Sequence, residues 1–128
     1  GGGVLSGKYE GTGAGPKGSR FGDTPDEPNS WRRQFVNERN LKIVDAVKQV
    51  ASAHRTTPSA VAVNWVMNRP AVSSVIIGPK RVEQLTDNLA ACELKLSGEE
   101  LAKLDEASRP APTYPHQFIM KTARNSDM

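Results

Sequence analysis

The chain has a single cysteine, Cys92, in 128 residues. No internal disulfide can brace it, so the sequence fits a reducing compartment and a cytoplasmic location is expected. Long apolar runs are missing too. None approaches the ~20 residues that a membrane-spanning helix needs, and no basic segment followed by an apolar stretch marks a leader. No membrane partner is therefore expected. Charge of one sign is not clustered: the formal net charge is +3, yet Arg32, Lys48, Lys80, Lys103 and Arg124 are scattered with acidic residues between them. Nucleic-acid binders concentrate such residues on one face, so no nucleic-acid partner is expected either. No metal site is expected. An initiating methionine is also absent, and the Gly1-Gly2-Gly3 start suggests a truncated or processed product.

What is present is an ordinary globular composition, 37% hydrophobic and 24% charged, on a chain long enough for one domain. Glycines and prolines from Gly11 through Gly13, Gly15, Pro16, Gly18 and Gly22 to Pro25 and Pro28 make residues 1–30 a long loop. Loops of that length in compact domains are usually functional or disordered.

Helical periodicity begins near Ser30. Ile43, Val47, Val50 and His54 share one stripe of a helix over residues 37–55. Thr57-Pro58 supplies an N-cap and a proline at the first helical position for a second helix reaching Asn68. Its apolar run of Val61, Ala62, Val63, Trp65, Val66 and Met67 predicts burial nearly all round. Arg69-Pro70 ends it. Val75-Ile76-Ile77-Gly78 reads as a buried parallel strand, and Val4-Leu5 as the end of another. A third helix is expected over residues 81–92 with Val82, Leu85 and Leu89 inward. Ser97 and Glu100 form a capping box, with Leu96 and Leu101 as its hydrophobic staple, for a fourth helix ending near Ser108. The tail after Arg109 is expected to be extended. One or two strands cannot satisfy their own backbone hydrogen bonds, so the order of elements predicts the last third of a larger α/β domain.

The segment from Val75 to Asn88 carries the chemistry. A strand ending in Gly78 runs directly into a helix start flanked by Lys80 and Arg81. Unpaired N–H groups and the helix dipole suit a phosphate there. Gln84 and Asn88, four apart, share a helix face and could read a base or ribose. The same residues also fit a solvated helix start with two surface amides, and spacing leaves both readings open.

Residues 75–88 resemble the cofactor motif at the last strand and helix of the aldo/keto reductase superfamily. Gly1-Gly2-Gly3-Val4-Leu5-Ser6-Gly7-Lys8-Tyr9 resembles the end of that family's seventh strand and the loop after it, and Gly18-Ser19-Arg20 resembles the element following that loop. The nearest subgroup is the bacterial reductases related to potassium-channel β subunits. The resemblance implies the C-terminal part of a (β/α)8 TIM barrel over residues 1–128: a cofactor loop at 1–30, helices and the last strand at 31–108, and a substrate loop and tail at 109–128. It implies NADP(H) as cofactor, a small carbonyl compound as substrate, and the N-terminal part of the barrel as partner.

The same resemblance puts Gly2, Leu5, Gly7 and Lys8 on the pyrophosphate side and Ser19 and Arg20 at the adenosine phosphates. It puts Gly78, Lys80, Gln84 and Asn88 at the 2′-phosphate and adenine, with Asp87 alongside. Pro79 departs from the family's small residue and removes one N–H donor, leaving NADP preference to Lys80 and Arg20. The family's catalytic aspartate, tyrosine, lysine and histidine come from early strands, so none is expected here, and His54 is expected to be packed. Tyr114 and His116 fall in the segment resembling the substrate loop, where packing against the barrel wall would serve their rings equally well. The alternative function is a truncated, non-catalytic nucleotide-binding or interaction module.

Overall fold

The computed structural model describes residues 1–13, 15–23, 27–28, 30–111, 113–115, 118–119 and 122. Among the described residues a 3₁₀ turn at Val4–Ser6 precedes the bounded helices α1 (Trp31–Phe35), α2 (Glu38–Ala53), α3 (Pro58–Met67), α4 (Val82–Leu89) and α5 (Gly98–Ser108). A second 3₁₀ turn, Ala90–Cys92, continues α4.

Local chemistry sets where these helices start. Asn37 accepts from the Asn40 N–H at 2.9 Å, and Thr57 Oγ1 accepts from the Ala60 N–H at 3.1 Å with Pro58 at the first helical position. Ser97 and Glu100 make the full reciprocal capping box, Ser97 Oγ accepting from Glu100 N at 3.2 Å and Glu100 Oε2 accepting from Ser97 N at 2.8 Å. Each satisfies N–H groups that a helix start leaves orphaned.

Helix α2 is the hub, packing on both α3 and α5. Ile43, Ala46, Val47, Val50 and Ala51 from α2 meet Val61 and Trp65 from α3 and Leu104 from α5, with Leu96 and Leu101 packed beside them. A second cluster of Val4, Tyr9, Phe21, Val36 and Val44 roots the glycine-rich loop on the other end of α2. Two polar side chains are buried with it and with α3. Arg32 donates to the Thr12 carbonyl at 2.8 Å and also to the Gly13 carbonyl, fastening the loop to α1. Asn64 donates to the carbonyls of Ala91 and Leu94, both at 2.8 Å, fastening the 3₁₀ turn after α4 and the residues beyond it to α3. Buried polar groups that are hydrogen-bonded in this way avoid the desolvation cost of an unmet one.

Five expectations are corrected. Residues 72–79 carry no strand assignment, and Ile76 is 97% exposed where a buried strand was expected. Among the described residues no strand pairs with this segment, so its backbone has no ladder to join. Val4-Leu5 is not a strand end but part of a 3₁₀ turn, entered and left by Gly3 and Gly7 in left-handed conformations. The Val82, Leu85 and Leu89 stripe does not point inward: all three are exposed, Val82 by 75%. Helix α3 is not covered all round, since Val66 and Met67 are exposed at its C-terminal end. The tail is not simply extended, because Ile119 N–H donates to the Pro115 carbonyl at 3.0 Å and residues 118, 119 and 122 are helical. In the first, third and fourth the amino-acid pattern is that of an element covered by neighbours, and no described element supplies the cover; Val4 is buried, but in a turn rather than a strand.

Candidate cofactor cleft

Three segments far apart in sequence meet at a cleft of about 500 Å³. The first contributes Gly2 and Lys8, the second Ser19 and Arg20, the third Gly78, Lys80 and Gln84. Gly1, Gly3, Gly18 and Ile76 complete its lining. Three cationic side chains thus converge with a half-buried amide and a floor of glycine backbone.

The glycine turn fits its place for steric reasons. Gly2 has φ +61°, and a Cβ there would stand 1.9 Å from Cε2 of the Phe21 ring, so no other residue fits without displacing that ring. At Gly78, by contrast, an added Cβ would meet nothing within 4 Å. Its backbone borders open space, as close approach by a ligand requires.

Side-chain hydrogen bonds organise the walls. The Tyr9 hydroxyl donates to the Gly2 carbonyl at 3.1 Å and accepts from the Phe21 N–H at 3.3 Å, joining the first segment to the second. Tyr9 is buried, its ring 5.7 Å from that of Phe21, and the Lys8 Nζ lies 5.4 Å from the Tyr9 ring centroid. Ser19 Oγ donates to the Pro16 carbonyl at 2.6 Å and accepts from Gly22 N at 3.0 Å, which closes the turn presenting Arg20. On the third wall Gln84 Oε1 accepts from the Lys80 N–H at 2.8 Å. This bond is a variant of the capping box, reaching one residue further back, at a helix whose own N-cap Arg81 makes no side-chain cap.

The structure therefore gathers Gly2, Lys8, Ser19, Arg20, Gly78, Lys80 and Gln84 from the sequence-derived set and leaves Leu5, Gly7, Asp87, Asn88 and Tyr114 out of the cleft. Leu5 is partly buried and packs on both core clusters. A Cβ at Gly7 would meet Cε of Lys48 at 2.9 Å, away from the cleft. Asp87 is exposed on α4, and Asn88 lines a neighbouring, mainly apolar groove with Val63, Val66, Val75 and Ile77. Tyr114 is 83% exposed, and His116 lies outside the described residues. In the sequence Tyr9 stands out only as the last residue of the Gly1 to Tyr9 element, and nothing there marks Phe21. No periodicity in a glycine-rich loop could have revealed that the two rings pack together beneath Gly2.

Two carboxylates with displaced titration stand away from the cleft. Asp105 is held below the usual carboxylate range, first by Arg69 and then by the Trp65 indole N–H. Glu100 is lowered by the Ser97 backbone N–H, against a smaller opposing effect of burial, and by its bond to His54 Nε2 at 2.8 Å. His54 is thus half-buried and paired rather than placed at the cleft.

The model of the aldo/keto reductase family matches residues 1–109. Among curated proteins, the chain is 33% identical over 117 residues to aldo-keto reductase str7 of Strobilurus tenacellus, covering 83% of this chain and 31% of the relative. It is 34% identical over 107 residues to a fission-yeast protein, from Schizosaccharomyces pombe, that carries a voltage-gated potassium channel subunit beta name, covering 81% and 30% respectively. L-glyceraldehyde 3-phosphate reductase of Escherichia coli O157:H7 is 30% identical over 105 residues, again with 81% and 30% covered. The chain spans about 30% of the length of these relatives.

Proposed function

The chain belongs to the aldo/keto reductase family, and from that premise we propose that it supplies the NADPH-binding part of an oxidoreductase that reduces small aldehydes or ketones to alcohols. The observation that carries this reading is the convergence of Lys8, Arg20 and Lys80 on one cleft floored by Gly2 and Gly78. Cations suit the phosphates, and glycine backbone permits close approach. The residues present fit the cofactor: three separated positive charges can serve three phosphate positions, and Gln84 offers its amide N–H groups beside Lys80.

In this reading Lys8 faces the pyrophosphate, and Arg20 and Lys80 face the adenosine end, where the 2′-phosphate distinguishes NADPH from NADH. Gln84, its oxygen engaged by the Lys80 N–H, keeps only donors for the base. Bound NADPH supplies a hydride to the carbonyl carbon of the substrate, and the protein's part is to place the two reactants. The family's catalytic aspartate, tyrosine, lysine and histidine are assigned to residues other than 1–128. The Tyr9 hydroxyl, engaged by Gly2 and Phe21, is no general acid.

The barrel belongs to the same proposal. Val82, Leu85 and Leu89 leave an exposed apolar face on α4, and Ile76 is exposed in the segment before it; the remaining strands of a (β/α)8 barrel would pair with that segment and cover that face. The same face favours one rival, a nucleotide-binding module whose cover is another protein. Intact mass of the purified protein together with NADPH titration by fluorescence tests both. A mass well above 13.8 kDa with NADPH binding supports the reductase. A mass of 13.8 kDa with binding supports the module, and absence of binding removes the cofactor reading.

A further inference from the structure

The Tyr9 hydroxyl lies between the two walls that carry Gly2 and Arg20. Its two bonds go to backbone groups on opposite sides, the Gly2 carbonyl at 3.1 Å and the Phe21 N–H at 3.3 Å. The phenol is 2% exposed, so neither bond competes with bulk water. Gly2 in turn rests on the Phe21 ring, which stacks on Phe35 of α1 at 5.8 Å. The segment around Arg20 is otherwise glycine-rich, with Gly15, Gly18 and Gly22 within seven residues of Arg20. Loops of this composition have large conformational freedom to lose on ordering. A cation on such a loop binds an anion tightly only if its position is fixed beforehand, since otherwise ordering the loop costs part of the binding energy.

We infer that Tyr9 is a positioning residue, a strut that sets the distance between the Gly2 turn and the Arg20 turn and so holds Arg20 at a phosphate of the cofactor. The inference rests on the cofactor reading and adds a residue that touches no ligand. Its hydroxyl acts, not its ring: the ring belongs to the core, and a phenylalanine would keep that packing.

The test is a double-mutant cycle on NADPH affinity in the purified protein, with Tyr9→Phe, Arg20→Gln and the double variant. Loss of both bonds should weaken NADPH about tenfold in Tyr9→Phe, and the same substitution should cost about threefold or less once Arg20 is Gln. A purely structural role would give the same loss in both backgrounds. Circular dichroism and melting temperature of Tyr9→Phe check that the core is kept. If the unsubstituted protein binds NADPH and Tyr9→Phe binds it equally well, or if the loss persists undiminished without Arg20, the strut is wrong and the cofactor reading stands. If the unsubstituted protein does not bind NADPH, the cofactor reading fails and the strut with it.

Discussion

The Trp65 indole N–H donates to Asp105 Oδ1 at 2.8 Å, tying α3 to α5 across the edge of the core. Arg69, two residues beyond the end of α3, reaches the same carboxylate through both ends of its guanidinium and lies 5.2 Å from the Trp65 ring. Trp65 is itself a core residue, so this carboxylate fixes an orientation on which packing depends.

The first prediction concerns acid. The Asp105 pKa is depressed in the folded chain, first by Arg69 and then by Trp65. Its contribution to stability is therefore present above the ordinary carboxylate range and is lost as pH falls through the depressed folded value. Melting temperature should decline below about pH 4. Glu100 is lowered as well and contributes to the same decline, so the comparison that matters is with Asp105→Asn. That variant should melt a few degrees lower at neutral pH and fall less steeply in acid. Parallel pH profiles for the two proteins would count against the assignment.

Leu104 is the hydrophobic key of α5. It is fully buried against α2 and α3, and Leu104→Ala should cost about 2–5 kcal/mol, the sum of lost transfer energy and a residual cavity. Urea unfolding should register this as a lower midpoint with little change in slope.

At the start of the same helix, Ser97→Ala removes the oxygen that accepts from Glu100 N at 3.2 Å. The expected loss is about 0.5–2 kcal/mol. Ser97→Asn should restore most of it, since asparagine caps as well as serine does. A rescue no better than alanine would argue that the cap is incidental.

Lys80 is the sharpest test of cofactor preference. Lys80→Met should weaken NADPH by about 10- to 100-fold and NADH by less than about threefold, because only the former carries the additional phosphate. The loss should also shrink at high salt as screening weakens the wild-type interaction. Equal losses for both nucleotides would move Lys80 away from the 2′-phosphate.

The helix starts were legible because their causes are local. The Thr57 and Ser97 caps each act within three residues, and the α2 stripe repeats at helical spacing. The segments that line the cleft stood out as well, through their likeness to family motifs. Burial was not. Val75-Ile76-Ile77 and the Val82, Leu85, Leu89 stripe have the composition of covered elements, yet whether they are covered depends on neighbours no local pattern contains.

What the sequence determined by itself is thus helices α2 to α5, the Thr57 and Ser97 caps and the family. Tertiary structure decided which distant segments share a wall: that Gly2, Arg20 and Lys80 border one cleft, and that Asn88 faces the groove beside it. It also decided that a tyrosine in a glycine-rich loop joins two of those walls through its hydroxyl. The physical reason is range. Caps and helical stripes are satisfied within a few residues along the chain, whereas the Tyr9 hydroxyl finds its partners 7 and 12 residues away and Trp65 finds Asp105 at a separation of 40.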